Sequence, residues 1–145
     1  MFYIIFRYLH FIAILGLAGA LLIENLAISR TISGEDSRNL AKVDVVYAVS
    51  AILVLLFGLV LWLWVGKPSE FYSSNPLFQL KLALFVTVAL LSIYPTVFLL
   101  KHRKSDASSI AVPTLVIWSM RAELILLVFI PILAVLMARG LGLGE

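Results

Sequence analysis

The sequence contains no cysteine, so it supplies no disulfide bond, no thiolate nucleophile and no ligand for an iron–sulfur cluster. It is also poor in charge, because Asp, Glu, Lys and Arg make up only 13% of its 145 residues. Soluble proteins average about 25% charged residues. Hydrophobic residues make up 63% of the chain. This composition is typical of an integral membrane protein whose main partner is the lipid bilayer.

Motifs of soluble enzymes are missing as well. There is no phosphate-binding glycine loop, no paired histidine spacing for zinc and no Gly-x-Ser-x-Gly motif. The net charge of +3 comes from basic residues at the ends of apolar runs, where membrane proteins place them. The sequence therefore indicates no nucleic-acid partner.

Four apolar runs are long enough to cross a bilayer, which requires about 20 residues in a helix. The predicted spans are residues 2–28, 44–66, 77–100 and 113–138, within one transmembrane domain covering residues 1–145. Ser33 or Ser37 is predicted to cap a short surface helix that runs towards Asp44. The predicted fold is all-α, an integral membrane bundle of four antiparallel transmembrane helices.

The basic residues of the connections predict the orientation. Six of them lie in the first and third connections and three on the opposite side. The six are Arg30, Arg38, Lys42, Lys101, Arg103 and Lys104, and the three are Arg7, Lys67 and Arg139. Because cytoplasmic loops carry the excess of Lys and Arg, both termini are predicted to lie outside.

A polar layer is predicted in the inner half of the bundle. It holds Glu24, Asn25, Asp44, Tyr47, Tyr94, Arg121 and Glu123. Unpaired charges in hydrocarbon cost several kcal/mol. We therefore expect the acidic and basic groups to neutralise one another, with Arg121 paired to Glu24. A proton-carrying role for the layer stays open beside this structural one.

A second layer, in the outer half, contains Arg7, His10 and Lys81 and no acidic residue at comparable depth. In one interpretation the cations extend to the headgroups and His10 bonds a backbone carbonyl. In the other the three residues bind an anionic, metal-containing ligand such as haem b or another tetrapyrrole. His10 would then be the metal ligand, and the cations would hold propionates.

The fourth span carries two charges that cannot share one face. Arg121 and Glu123 are two residues apart, which is about 200° around a helix. One of them is predicted to point outward and to find its partner in a second copy of the chain. This predicts a homo-oligomer through the fourth span.

Several segments resemble an uncharacterised family of small bacterial four-helix membrane proteins. They are Tyr8-Leu9-His10-Phe11-Ile12, residues 44–58, Asn75-Pro76-Leu77-Phe78-Gln79-Leu80-Lys81 with Tyr94-Pro95-Thr96, and Leu136-Met137-Ala138-Arg139-Gly140. The resemblance covers essentially the whole chain. It implies the four-helix fold and a multi-pass location in the bacterial inner membrane, and it brings no assigned activity.

A weaker similarity is to the HemJ-type protoporphyrinogen oxidases, four-helix membrane proteins associated with b-type haem. Their functional first-helix His and third-helix Lys are matched here by Leu9-His10-Phe11 and Leu80-Lys81-Leu82. The chain departs from them in having Glu24-Asn25-Leu26 where they carry a Pro-Arg and Tyr-His run. The similarity implies a shared scaffold that holds a porphyrin.

Two functions follow from these patterns. The leading one is binding of haem or a related tetrapyrrole in the outer half of the bundle, which would permit redox activity. The alternative is a non-enzymatic accessory subunit or small transporter, whose inner charge layer is structural or carries protons. Whether the chain is an enzyme is left open.

Overall fold

The computed structural model describes residues 2–65 and 76–138. In chain order the elements are α1 (Phe2–Ala27), β1 (Thr31–Ile32), α2 (Gly34–Val60), α3 (Pro76–Lys101), β2 (Ile110–Ala111) and α4 (Thr114–Ala138). A π-helical turn, Leu61–Val65, continues α2. Within these ranges, four helices are long and apolar enough to cross a membrane. The predicted all-α membrane bundle is confirmed.

The outward surfaces of the helices are apolar. Leu15, Ile52, Leu90 and Ile125, one from each long helix, are all more than half exposed. Such surfaces are stable in a bilayer because lipid chains cover them, while every helical backbone group is bonded internally. The polar residues of the spans therefore have to be sought inside the bundle.

The second span begins earlier than predicted. In place of a separate surface helix before Asp44, α2 runs without interruption from Gly34. Ser33 is its N-cap and accepts a hydrogen bond from the backbone N–H of Asp36 at 3.0 Å. Glu35 and Asp36 in the first turn favour the positive end of the helix dipole. No proline follows before residue 65, so nothing in the sequence ends the helix sooner.

A two-stranded ladder, which the sequence did not predict, joins the first and third connections. β1 and β2 pair antiparallel, with Thr31 opposite Ala111 and Ile32 opposite Ile110. Next to it, the Ser37 hydroxyl donates a hydrogen bond to the backbone carbonyl of His102 at 2.8 Å. Both connections thus lie together at one end of the bundle, which we call the loop end.

The core consists of two apolar clusters. The loop-end cluster contains Ile28, Ile32, Leu40, Ala41, Phe98, Leu99, Ile110, Val112, Val116 and Met120. The middle cluster contains Ala13, Leu17, Ala20, Leu21, Tyr47, Val54 and Leu127. Each cluster draws on α2, α4 and either α1 or the chain just after it, so the two clusters are layers of the same bundle.

Two glycines, Gly16 and Gly34, lie where helices and loops approach one another closely. At Gly16 an added Cβ would lie 2.7 Å from the Ser50 hydroxyl oxygen, so α1 and α2 touch there. The Gly34 N–H donates to the Ala107 carbonyl at 2.8 Å. A Cβ on Gly34 would lie 2.6 Å from the oxygen of Ala107 and 2.8 Å from that of Ser105. These are backbone atoms, which cannot move aside as a side chain can.

Gly34→Ala is therefore expected to lower the free energy of unfolding by about 1–3 kcal/mol, the usual cost of overpacking. Thermal unfolding of the protein in detergent measures this change. Gly19→Ala is the matched control, because nothing lies within 4 Å of the added Cβ. In that variant the better helix propensity of alanine should leave stability unchanged or raise it by up to about 1 kcal/mol. Equal stability of the two variants would contradict the close contact at Gly34.

Candidate functional site

The most unusual feature of the bundle is a layer of buried carboxyl groups. We call the carboxyls of Glu24, Asp44 and Glu123, together with the hydroxyl of Tyr47, the carboxyl layer. These residues come from α1, α2 and α4. Their exposed fractions are 2%, 3%, 3% and 1%. Carboxyl side chains are almost never so fully buried unless they are paired.

The position of the layer follows from the order of residues along each helix. Glu24 lies between Leu21 of the middle cluster and Ile28 of the loop-end cluster. Glu123 lies between Leu127 and Met120, members of the same two clusters. Residues three or four positions apart share one face of a helix. The carboxyl groups therefore lie between two apolar clusters that cover them on both sides.

Within the layer the side chains interact with one another. The Tyr47 hydroxyl donates a hydrogen bond to Oε1 of Glu123 at 2.8 Å. Asp44 lies next to the Glu24 carboxyl, and Glu123 is close enough to interact electrostatically with both. Oε1 of Glu24 and Oε2 of Glu123 have no hydrogen-bond partner among the described residues. The layer is thus rich in acceptors and short of donors.

The predicted pairing of Arg121 with Glu24 is wrong. Nη1 of Arg121 donates instead to the backbone carbonyl of Asn25 and, at 3.1 Å, to the Asn25 side-chain oxygen. Glu123 lies on the inward face of α4. Arg121, about 200° around the same helix, contacts Asn25, the residue that follows Glu24 in α1. Within residues 2–65 and 76–138, a salt bridge joins Arg38 to Asp106, and it lies outside the layer. Among the described residues, the carboxyl layer therefore has no cationic nitrogen within 4.0 Å.

The same contact bears on the predicted oligomer. Arg121 is the half-buried member of the Arg121 and Glu123 pair. Its partner, Asn25, belongs to the same chain, so Arg121 does not need one from a second copy. The homo-oligomer through α4 stays a prediction.

The structure brings together two of the three residues predicted for the outer layer. The imidazole of His10 packs against Gly58 of α2, where an added Cβ would lie 3.2 Å from Cε1. Its Nδ1 is buried and has no hydrogen-bond partner among the described residues. Lys81 is close enough to act on His10 electrostatically, and its Nζ lies 5.4 Å from the ring centroid of Phe78. His10 is thus a half-buried imidazole with a cation beside it.

Arg7, the third predicted residue, is held by its own helix. Its side chain is exposed, and Nη1 donates to the Tyr3 hydroxyl at 3.3 Å. The guanidinium carbon lies 5.9 Å from the ring centroid of Tyr3 and 6.0 Å from that of Phe11. Aromatic faces attract cations at such distances. The structure therefore places Arg7 against aromatic residues of α1.

Comparison with known families is consistent with this description. A family model described as "Predicted membrane protein (DUF2214)" matches residues 3–142. The chain belongs to the DUF2214 family. No curated protein and no solved structure matches this DUF2214 chain. The resemblance to HemJ-type oxidases is thus carried only by the short segments around His10 and Lys81.

The sequence predicted the depth of the residues of the carboxyl layer, but it did not predict that the carboxyl groups lie together without a neutralising cation among the described residues. The signal was the imbalance of charge, since the predicted inner layer of this DUF2214 chain holds three acidic residues and one arginine. Pairing could neutralise only one of the three. The remaining carboxyl groups required either protons or a further cation.

Proposed function

We propose that this protein carries protons through its transmembrane bundle by way of the carboxyl layer. The observation that supports the proposal is the group of three buried carboxyls, Glu24, Asp44 and Glu123, which have no cationic nitrogen within 4.0 Å in the part of the chain that the structure describes. Ionisable residues inside a membrane bundle commonly mark proton relays and substrate pathways. This is the proton-carrying alternative of the sequence analysis.

The chemistry of the layer favours protons as the neutralising species. Three carboxylate charges in hydrocarbon would repel one another without compensation. Among the described residues, no group of three or more His, Asp or Glu side chains has the arrangement needed to hold a metal ion. A carboxyl can accept and release a proton in place, and the Tyr47 hydroxyl, bonded to Glu123, can both donate and accept. These groups can therefore hold and pass protons.

Access to the layer is controlled by the two apolar clusters. A proton cannot cross packed Leu, Ile and Met side chains without water or a polar group beside it. Met120 and Leu99 of the loop-end cluster and Leu17 and Leu21 of the middle cluster are at most 1% exposed. Transport thus requires water to pass one cluster or the other, and the packed bundle is a closed state.

The proposal is tested with protein reconstituted in liposomes that contain a pH-sensitive dye. A potassium diffusion potential set by valinomycin should drive faster acidification than in protein-free liposomes. The variant Glu24→Gln/Asp44→Asn/Glu123→Gln keeps the side-chain sizes and removes the carboxyls, so it should show only the background rate. A wild-type rate equal to that of this variant would contradict the proposal.

A second candidate function, binding of haem or another tetrapyrrole, is favoured by Nδ1 of His10, which has no hydrogen-bond partner among the described residues. A buried imidazole nitrogen without a partner suits metal ligation, and the adjacent Lys81 suits a propionate. Arg7, one turn before His10, would meet a second propionate only after leaving Tyr3. A haem bound there would supply one-electron redox chemistry. Titration of the purified protein with haemin, followed by its Soret absorption, tests this function.

The proposed location is the bacterial inner membrane, with the loop end in the cytoplasm and both termini outside. It is supported by six basic residues at the loop end, which lie in the two connections joined by the β1–β2 ladder or in the helix turns next to them. Reporter fusions after Ser105 and after Glu145 should be read as cytoplasmic and external, respectively. A cytoplasmic signal from the fusion after Glu145 would overturn the orientation.

A further inference from the structure

A groove between α2 and α3 has a strongly basic mouth at the loop end. A cavity of about 250 Å³ there is lined by Arg38, Lys42, Arg103 and Lys104, together with Ala41, Val45 and Leu100. Two of the cations belong to α2 and two to the turn that follows α3. The start of α2 and the turn after α3 therefore both present positive charge to one pocket.

These charges are largely uncompensated. Lys42, Arg103 and Lys104 are exposed and make no ion pair within the described part of the chain. Arg38 lies 3.3 Å from Asp106, whose side chain is 98% exposed. Exposed pairs of this kind contribute little. The pocket is thus suited to an anion that carries more than one acceptor oxygen.

Directly beyond the mouth the same groove becomes apolar. A second cavity, of about 300 Å³, is lined by Ala48, Ile52, Ala89, Ile93 and Val97 among others. Ala48 follows Val45 by one helical turn, and Val97 precedes Leu100 by one turn, so the two cavities lie on one line along α2 and α3. From Ala89 to Val97 the apolar part extends about 12 Å at 1.5 Å per residue.

The shape and surroundings of the groove identify its occupant. Ile52, Ile93 and Val97 are exposed on the surface that faces the bilayer, so a chain lying in the groove can enter sideways from the lipid. Basic residues at a membrane surface attract anionic lipids, each contributing about fivefold in affinity. A soluble anion would satisfy the mouth and leave the apolar part unused. A lipid with an anionic headgroup satisfies both.

We propose that this groove is a binding site for an anionic glycerophospholipid. Its phosphate lies among Lys42, Arg103 and Lys104, and one acyl chain lies along α2 and α3. Tyr47 also lines the apolar cavity, so the bound chain touches the residue that donates to Glu123. The site does not depend on proton transport, and lipid binding can be measured without it.

The test is native mass spectrometry of the detergent-solubilised chain, titrated with dioleoylphosphatidylglycerol or dioleoylphosphatidylcholine. The wild type should bind the anionic lipid more tightly. Lys42→Ala/Arg103→Ala should weaken this binding roughly 25-fold, at about fivefold per charge. Arg30→Ala/Lys101→Ala is the matched control: it removes two exposed cations of the same end that do not line the pocket, and should change binding less than about twofold.

A further variant separates the headgroup from the chain. Ala89→Leu keeps every charge and fills part of the apolar groove, so it should also weaken binding of the anionic lipid. Three results would each overturn the proposal: no preference for phosphatidylglycerol in the wild type, equal losses in the two double variants, or displacement of the lipid by inorganic phosphate with Ala89→Leu unaffected. The last result would indicate a site for free phosphate. Size-exclusion profiles matching that of the wild type show that each variant is folded.

Discussion

Glu123→Gln is expected to abolish proton flux through the reconstituted protein. Glu123 is the acceptor of the Tyr47 hydroxyl and the least exposed carboxyl of the layer, at 1%. Its amide replacement has nearly the same size and still offers an oxygen to Tyr47, so the fold should persist, but the amide cannot take up a proton. Loss of a positioned proton-transfer group commonly costs 100-fold or more in rate. The rate of acidification inside the liposomes, followed with the pH-sensitive dye, should fall by roughly this factor.

A matched control and a partial variant make this result interpretable. Glu35→Gln makes the same chemical change at an exposed acid in the first turn of α2, and should leave the flux unaltered. Tyr47→Phe removes the donor to Glu123 and keeps the carboxyl, which should slow the flux about tenfold, corresponding to one hydrogen bond. If Glu123→Gln conducts as fast as the wild type, the layer is structural and the proton proposal fails.

The fold was predictable where the solvent dictates it. Hydropathy alone located four spans, because a helix in lipid needs about 20 apolar residues and little else. Ser33 was one of the two predicted caps, although the prediction was for a separate surface helix, and it is the N-cap of α2. The β1–β2 ladder was not predictable, since two residues of strand carry no periodic pattern. It forms because two loops of one end lie side by side.

The carboxyl layer was predictable in depth and not in rotation. Counting residues along antiparallel spans puts Glu24, Asp44 and Glu123 at similar heights, as observed. The rotation of a helix about its own axis cannot be predicted from a segment that is apolar on every face, as α4 is around Arg121. Asn25 offered Arg121 both a backbone and a side-chain oxygen one position from Glu24. The prediction was therefore wrong by one residue of α1: Arg121 contacts Asn25 and not Glu24, and the carboxyl layer is left without its cation.

At the other end of the bundle, His10→Ala is expected to abolish the Soret band of protein loaded with haemin. His10 is the one histidine in the described spans whose Nδ1 is buried without a partner. His102→Ala is the matched control, because His102 lies at the loop end and its Nδ1 is 2.9 Å from the Phe98 carbonyl. That variant should keep the band.

Lys81→Ala distinguishes a propionate partner from a metal ligand. If Lys81 holds a propionate, its loss should weaken haemin binding about tenfold, as for one charge-assisted hydrogen bond, and leave the band position unchanged. If Lys81 binds the metal, the band itself should shift. Wild-type protein that takes up no haemin, or a His10→Ala variant with an unaltered band, would exclude the tetrapyrrole function. The half-buried His10 would then be a packing residue of α1 that contacts Gly58 of α2.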